Sequence, residues 1–270
     1  MIIRDFLKTA IATLKTAEIE GAQTDAEIIL AYVLGKDRAW LLAHDDAELD
    51  SEQAKAANTL LERRAKRIPM SYVLGVREFA GLEFKIDDRA LTPRVETETI
   101  VAEVTKRAPQ GARVLDIGTG SGAMAIALKH LRPDLHVVAS EVSSDALELA
   151  CENAQNLLKT DKDIGFVQSD LFENIDDTFD VIVANLPYVT REMELLPEVQ
   201  NEPDVALFGG ADDGLDLYRK FFTQLPNHIN DASQVWTESD PWQQDDLIKL
   251  AEESGLRKIY QDYFILGFER

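Results

Sequence analysis

Two short stretches carry residue types that could do chemistry together. The first is Val114-Leu115-Asp116-Ile117-Gly118-Thr119-Gly120-Ser121-Gly122, an apolar run ending in a carboxylate and three alternating glycines, followed by the helix-forming stretch Ala123 to Leu131. Glycines at 118, 120 and 122 let backbone pass close to a ligand, and a helix start presents free N–H groups. The order D-x-G-x-G-x-G, with the acid ahead of the first glycine, separates this turn from the G-x-G-x-x-G fingerprint of nicotinamide enzymes. We expect Gly118, Thr119, Gly120, Ser121 and Gly122 to cradle a cofactor. Asp116 would either brace the loop or reach the cofactor's amino-acid end. The plainer alternative is a strand-to-helix turn without a ligand.

Two further acids complete the expected cofactor site. Glu141 lies 19 positions beyond Gly122 and closes the next apolar run, where doubly wound geometry puts an acid that accepts hydrogen bonds from both ribose hydroxyls. A helix N-terminal carboxylate beside Ser143-Ser144-Asp145 is the competing role. Asp170 ends a third run and is placed for an adenine amino group, with Leu171 and Phe172 beside the ring. A turn aspartate is the alternative there.

The second stretch runs from Val181-Ile182-Val183-Ala184 into Asn185-Leu186-Pro187-Tyr188, placing an amide and an aromatic ring at the carboxyl end of a buried strand, where open α/β sheets bind ligands. A planar nitrogen has its lone pair delocalised, so an acceptor of that kind must be held with the pair aimed at the carbon it attacks. The Asn185 side-chain oxygen and the Leu186 carbonyl can accept both hydrogens of an NH2 group. Pro187 shapes the turn and Tyr188 packs on the flat face. We expect Asn185 and Tyr188 to be catalytic, with Asn185 also touching the cofactor. A turn amide and a core aromatic are the bland readings. His44, His130, His136 and His228 lack metal-ligand spacing and read as structural, and no metal site is expected.

The elements that must position these residues follow from periodicity. Ile3, Phe6, Leu7, Ala10, Ile11 and Leu14 form an amphipathic helical stripe. Thr24-Asp25 can cap a second helix ending at Leu34 before Gly35, and Ser51-Glu52 a later one carrying Leu60 and Leu61. Arg63-Arg64 with Lys66-Arg67 fits favourable charge at a helix C-terminus, with a docking patch as the alternative. Residues 1–75 thus read as a helical bundle, and 76–92, with runs at Glu78-Phe79 and Leu82 to Ile86 around Gly81, as a β-hairpin linker. After Pro93, the runs Arg113 to Ile117, Leu135 to Ser140, Ile164 to Gln168 and Phe179 to Ala184 are strand-like with helices between the first three, so residues 93–270 read as a mostly parallel α/β sheet. Val235 to Thr237 and runs around Lys258 to Asp262 and Phe264 to Phe268 would finish it, the last pair antiparallel.

The net charge of -21 lies mostly after Tyr72, where 18 basic side chains face 37 acidic ones. A field of that sign repels phosphate backbones, so direct nucleic-acid binding is disfavoured, although solubility or salt adaptation explains the acidity equally well. No apolar run reaches the length of a membrane span, and the first residues lack a signal-peptide core. The expectation is a cytoplasmic monomer without membrane contact. Cys151 is the single cysteine, which excludes an internal disulfide, and it reads as a half-buried helix residue.

Taken together, these stretches resemble the release-factor glutamine methyltransferases, the HemK or PrmC family. The resemblance runs through Glu62-Arg63-Arg64, Pro69, Tyr72 to Gly75, Arg77-Glu78-Phe79, Gly81-Leu82, Leu91 to Glu98, both loops above, Glu198-Val199, Glu202-Pro203, Ala206-Leu207, Gly209-Gly210 and Asp213-Gly214-Leu215. It implies a Rossmann-like class I methyltransferase domain using S-adenosyl-L-methionine, preceded by a helical domain that grips the substrate protein. The implied reaction methylates the side-chain amide of the glutamine in the Gly-Gly-Gln loop of peptide-chain release factors. By that likeness Asn185 and Tyr188 hold the glutamine, while Gly118 to Gly122, Glu141, Leu171 and Asn185 line the cofactor site. Three places depart from the family pattern: Leu186 stands for the first proline of Asn-Pro-Pro-Tyr, Val95 for another proline, and Trp236 to Pro241 differs from its Leu-Glu-Ile-Gly strand. A less rigid acceptor loop is the expected effect of Leu186. Asn-Leu-Pro-Tyr is also the form of ribosomal RNA adenine dimethyltransferases, so an RNA methyltransferase remains a rival, as does a ribosomal-protein glutamine methyltransferase. A non-catalytic nucleoside-binding module is a third possibility.

Overall fold

The computed structural model describes residues 1–158, 163–210 and 212–270, in two units: Met1–Gly75 with Leu195–Asn201, and Val76–Glu194 with Glu202–Arg270. In the first unit the apolar stripe of α1 (Ile3–Thr16) buries Ile3, Phe6, Ala10 and Leu14. These side chains share one core with α2 (Ala22–Leu34), α3 (Arg38–Ala43), α4 (Ser51–Ala65) and α5 (Met70–Leu74). Two helix starts differ from the sequence expectation. α2 begins at Ala22 behind Gly21 with no side-chain cap, because Asp25 accepts instead from Arg64 Nε at 2.7 Å. α4 is capped one residue earlier than expected, by Asp50, in a reciprocal box with Gln53. Gly35 closes α2 in the left-handed region as anticipated.

The basic knot is used inside this unit. Arg64 is buried between Asp25 and Glu198, the latter at 3.0 Å. Arg63 donates to the carbonyls of Tyr72 and Val73, and Arg67 donates to that of Ala17. A buried guanidinium needs such partners, since one left unpaired would cost several kcal/mol. Helix-end charge alone did not foretell these partners, which come from the start of the chain and from beyond residue 190.

In the second unit, residues 76–85 form a hairpin, β1 (Val76–Phe79) and β2 (Leu82–Lys85), turned by Ala80 and Gly81 at positive φ, and residues 86–92 belong to no strand. It is not a free linker: Phe79 and Phe84 meet edge to face and join the core containing Ile100, Val101 and Val104. Those three lie on α6 (Glu98–Arg107). The chain then alternates β3 (Arg113–Ile117), α7 (Ala123–Leu131), β4 (His136–Glu141), α8 (Ser144–Leu157), β5 (Ile164–Gln168) and β6 (Phe179–Ala184). After α9 (Asp204–Leu207) and α10 (Asp216–Gln224) come β7 (Ile229–Glu238), α11 (Gln244–Glu253), β8 (Arg257–Gln261) and β9 (Ile265–Glu269). β7 is ten residues long, so the expected run at Val235 to Thr237 is only its end. Cys151 lies half-buried on α8.

The seven-stranded sheet has the order β5-β4-β3-β6-β7-β9-β8. Its first five strands are parallel, and β9 is antiparallel to both neighbours. Side chains alternate between two cores: Val114, Val181, Val183 and Trp236 on one face, Leu115, Ile117, Ile182, Ala184 and Val235 on the other. Continuous apolar runs at β3 and β6 therefore reflect burial on both faces. Strand order reverses between β3 and β6, which leaves a crevice at their carboxyl ends. Among the described residues no helix is long and apolar enough to cross a membrane, and no group of three or more His, Cys, Asp or Glu could hold a metal ion.

Candidate active site at the strand ends

β3 and β6 pair in register, Ile117 opposite Ala184, so the next residues, Gly118 and Asn185, leave the sheet side by side. Both turns open into one cavity of about 290 Å³, close to the lower end of the roughly 300–1,000 Å³ usual for small-molecule sites. Gly118, Thr119, Gly120 and Ser121 line it from one side and Asn185, Leu186 and Pro187 from the other. A Cβ on Gly118 would sit 3.4 Å from the Leu186 side chain.

Each expected cofactor residue has a distinct place. Glu141 ends β4 on the cavity wall, its two oxygens accepting from the N–H groups of Gly120 (2.9 Å) and Ser143 (3.0 Å). A carboxylate has about four lone-pair positions, so two remain for a ligand. Asp170 and Leu171 are on the wall as well, with Leu171 at a φ of 50°. Ser169 Oγ donates to the Leu171 carbonyl and accepts from Asn174 N–H, which fixes that bend. Phe172, expected beside the ring, turns into the core and stacks on His228 and Phe221. The half-turn after Leu171 carries it to the apolar face where α10 supplies aromatic partners.

Asp116 and Gly122 stand behind the wall. Asp116 is fully buried and braces the loop, accepting from the Thr119 hydroxyl at 2.7 Å and Ala125 N–H at 3.0 Å. Burial pushes its carboxyl up to about 7, against the pull of those two donors. At Gly122 a Cβ would lie 2.8 Å from Ile126 and 3.1 Å from Ala150, so this glycine permits close packing where α7 begins.

On the acceptor side, Asn185 Nδ2 donates to Thr97 Oγ1 at 3.2 Å, and Thr97 donates to Glu238 Oε2 at 2.6 Å. The Tyr188 hydroxyl donates to Glu238 Oε1 at 3.2 Å. Burial, with the negative field of Glu238, holds the Tyr188 phenol well above its usual range. Tyr188 is thus set behind the cavity, while Thr97 and Arg94 are on its wall. Arg94 is ion-paired with the buried Glu202, whose carboxyl burial also raises.

Known proteins decide what this arrangement belongs to. Residues 5–75 match the PrmC N-terminal domain family and residues 95–201 the methyltransferase small domain family. The chain is 39% identical over 241 residues to the release factor glutamine methyltransferase of Geobacter sulfurreducens, covering 88% of this chain and 84% of that one. Against its counterpart from Deinococcus radiodurans the identity is 36% over 245 residues, covering 89% and 87%. The chain belongs to the release factor glutamine methyltransferase family. It is a methyltransferase of the S-adenosylmethionine-dependent kind. The solved ribosomal protein L11 methylase of Lactobacillus delbrueckii, 23% identical with a TM-score of 0.51 over 68% of this chain and 83% of that one, shares the sheet architecture.

The residues present fit that cofactor. A Cβ on Gly120 would point into space whose nearest atom is Ala90 at 4.0 Å, which is the room a ligand needs against bare backbone. Glu141 keeps acceptor capacity toward the cavity, and Val142, Ala146 and Leu171 provide an apolar slot.

Three parts of the site escaped the sequence reading. Glu238 and Thr97 are 141 residues apart, and no local spacing joins them. Gly209 and Gly214, noted only for their resemblance, let their own backbone lie on the acceptor turn: a Cβ on Gly214 would fall 2.1 Å from the Tyr188 carbonyl oxygen. Leu186 does not simply loosen its loop. It is buried, and its N–H, which a proline would lack, donates to the Tyr218 hydroxyl at 3.3 Å.

Proposed function

We propose that this chain transfers a methyl group from S-adenosyl-L-methionine to the side-chain amide nitrogen of the glutamine in the Gly-Gly-Gln motif of peptide-chain release factors. The single observation that carries the reading is the shared cavity, with the Gly118 turn and the Asn185 turn leaving neighbouring strands into the same space. Named relatives of this length and similarity act on that substrate class.

The cofactor supplies an electrophilic methyl on a sulfonium. Gly118 to Ser121 would cradle its amino-acid end, Glu141 would accept from the ribose hydroxyls, and Asp170 with Leu171 would meet the adenine. Asn185 Oδ1 and the Leu186 carbonyl would accept the two N–H bonds of the glutamine amide, which fixes the plane of the nitrogen and aims its lone pair. Both oxygens would also stabilise positive charge as the N–C bond forms and the methyl–sulfur bond breaks, its electron pair returning to sulfur to leave a neutral thioether. Tyr188 would hold the acceptor turn from behind rather than contact the reacting atoms, and the protonated amide product would lose its proton to water. Asp116 and Gly122 would act through the loop they support.

The helical unit would grip the release factor, and the enzyme would act as a cytoplasmic monomer without contacting nucleic acid. The acidic balance after Tyr72 supports a protein substrate over a polyphosphate one. Incubation with labelled methyl donor and purified release factor, followed by peptide mass spectrometry, should place the label on the Gly-Gly-Gln glutamine. A Gln→Ala release factor should take up none. Label on another residue, or on ribosomal RNA or protein instead, would overturn the assignment.

A further inference from the structure

An asparagine amide can face a ligand with its oxygen or with its NH2, and the two ends differ little in shape. Only the oxygen end can accept from an acceptor amine, so something must set the orientation of Asn185. We infer that Glu238 is a positioning residue which, through the Thr97 hydroxyl, fixes Asn185 with its oxygen toward the acceptor cavity. The inference rests on the proposed role of Asn185 and adds the device that makes it one-sided.

Thr97 has a single hydroxyl hydrogen. At 2.6 Å from Glu238 Oε2 that hydrogen is committed to the carboxylate, in the distance range of a hydroxyl donating to an ionised acid. Thr97 Oγ1 then presents only lone pairs to its other neighbour, and the group 3.2 Å away is Asn185 Nδ2. A flipped amide would set two oxygens against each other with no hydrogen between them. Glu238 is itself held in place: it ends β7, is 2% exposed, and its second oxygen takes the Tyr188 hydroxyl. The two hydroxyl donors, with the Asn185 amide NH2 beside them, are what stabilise its charge. Burial raises its carboxyl, while the Thr97 and Tyr188 hydroxyls and, more weakly, the Asn185 amide itself oppose that rise, as expected of an acid kept in a dry site by a small number of directed bonds.

The relay makes a specific demand. In Glu238→Gln the new amide best satisfies Tyr188 by offering it the oxygen, because the phenol would otherwise lose its acceptor. The NH2 end then points at Thr97, whose hydrogen is freed to donate to Asn185. Asn185 turns its oxygen inward and its NH2 toward the cavity, where it repels the acceptor's own N–H groups. Thr97→Val removes the relay by another route at nearly constant volume.

Two readouts test the relay. In nitrogen-15 spectra of the full chain, with the Asn185 side-chain signal assigned by its loss in Asn185→Ala, the wild-type NH2 should carry one slowly exchanging hydrogen-bonded proton. That signature should persist in Thr97→Ser and vanish in Thr97→Val and Glu238→Gln. In methyl transfer to the release factor, kcat should fall roughly 10- to 100-fold in Thr97→Val and Glu238→Gln, the scale of losing one preorganised partner. Donor affinity should stay unchanged, Thr97→Ser should recover most of the rate, and the double variant should be no slower than either single one. An Asn185 signal identical in all variants, or additive losses in the double variant, would overturn the relay. Failure of the wild-type chain to label the release factor would refute the proposed substrate, while the spectral test of the relay would still stand.

Discussion

The Tyr218 hydroxyl gathers three strand-end groups that the acceptor turn depends on. It is fully buried, donates to the Glu238 carbonyl at 2.6 Å, lies 3.2 Å from the Ala184 carbonyl, and accepts from Leu186 N–H at 3.3 Å. Tyr218→Phe keeps the ring, which packs on Phe221 and Phe222, and deletes only the oxygen. Leu186 N–H is then left without this acceptor in a dry site, and the Glu238 carbonyl loses its shortest donor. Each orphaned group costs about 1–3 kcal/mol. Relaxation of the turn recovers some of that, so we expect a net loss of roughly 2–3 kcal/mol. For a unit of this size that corresponds to a fall in Tm of about 2–4 °C per kcal/mol. Urea unfolding monitored by circular dichroism measures the loss. Native-state hydrogen exchange locates it, since the Leu186 amide should lose protection by a larger factor than amides of β4, on the far side of β3. A loss below about 0.5 kcal/mol, or unchanged protection at Leu186, would show that the hydroxyl does not hold the turn.

Further outcomes follow from the same geometry. Asn185→Ala should reduce methyl transfer about 100-fold or more while equilibrium dialysis shows donor binding retained; near-normal turnover would remove Asn185 from the chemistry. Asp116 holds its proton more tightly in the folded chain, up to about 7, than in the unfolded one, at about 3.9. Its contribution to stability is therefore complete below about pH 4 and is lost as pH rises toward 7, by up to about 4 kcal/mol at 1.36 kcal/mol per unit. Asp116→Asn imitates the neutral acid, so its stability relative to wild type should rise between pH 5 and 7.5 in urea titrations, a difference that cancels the other titrating groups; a pH-independent gap would contradict this. Gly267 lies opposite Trp236 on β7, and a Cβ there would fall 2.6 Å from the indole ring. Gly267→Ala should thus destabilise by about 1–3 kcal/mol through overpacking, read as a lower urea midpoint at unchanged slope.

Much of the architecture is a local property of this chain. The period-2 and period-3.6 patterns, the glycine run after Asp116 and the Asn185 turn after four apolar residues each act over a few residues, and each could be read there. The βαβ alternation then restricts where such turns can meet, because ligands collect at the carboxyl ends where strand order reverses. Helix starts were less legible: Thr24-Asp25 has capping chemistry, yet Asp25 pairs with Arg64, since a buried guanidinium gains more from that carboxylate than a helix end does. Phe172 next to Leu171 looked like a ring partner for a ligand until α10 supplied aromatic neighbours for it.

What tertiary structure alone decided are the contacts between distant segments. Thr97 meets Glu238 across 141 positions, Tyr218 reaches Leu186, and the backbone of Gly214 lies against that of Tyr188. Short-range spacing determines which face or turn a residue occupies, because backbone geometry repeats over a few residues. Which hydroxyl a buried carboxylate will face is determined only when strands far apart in sequence lie side by side and exclude water, and in this chain that juxtaposition orients the Asn185 amide.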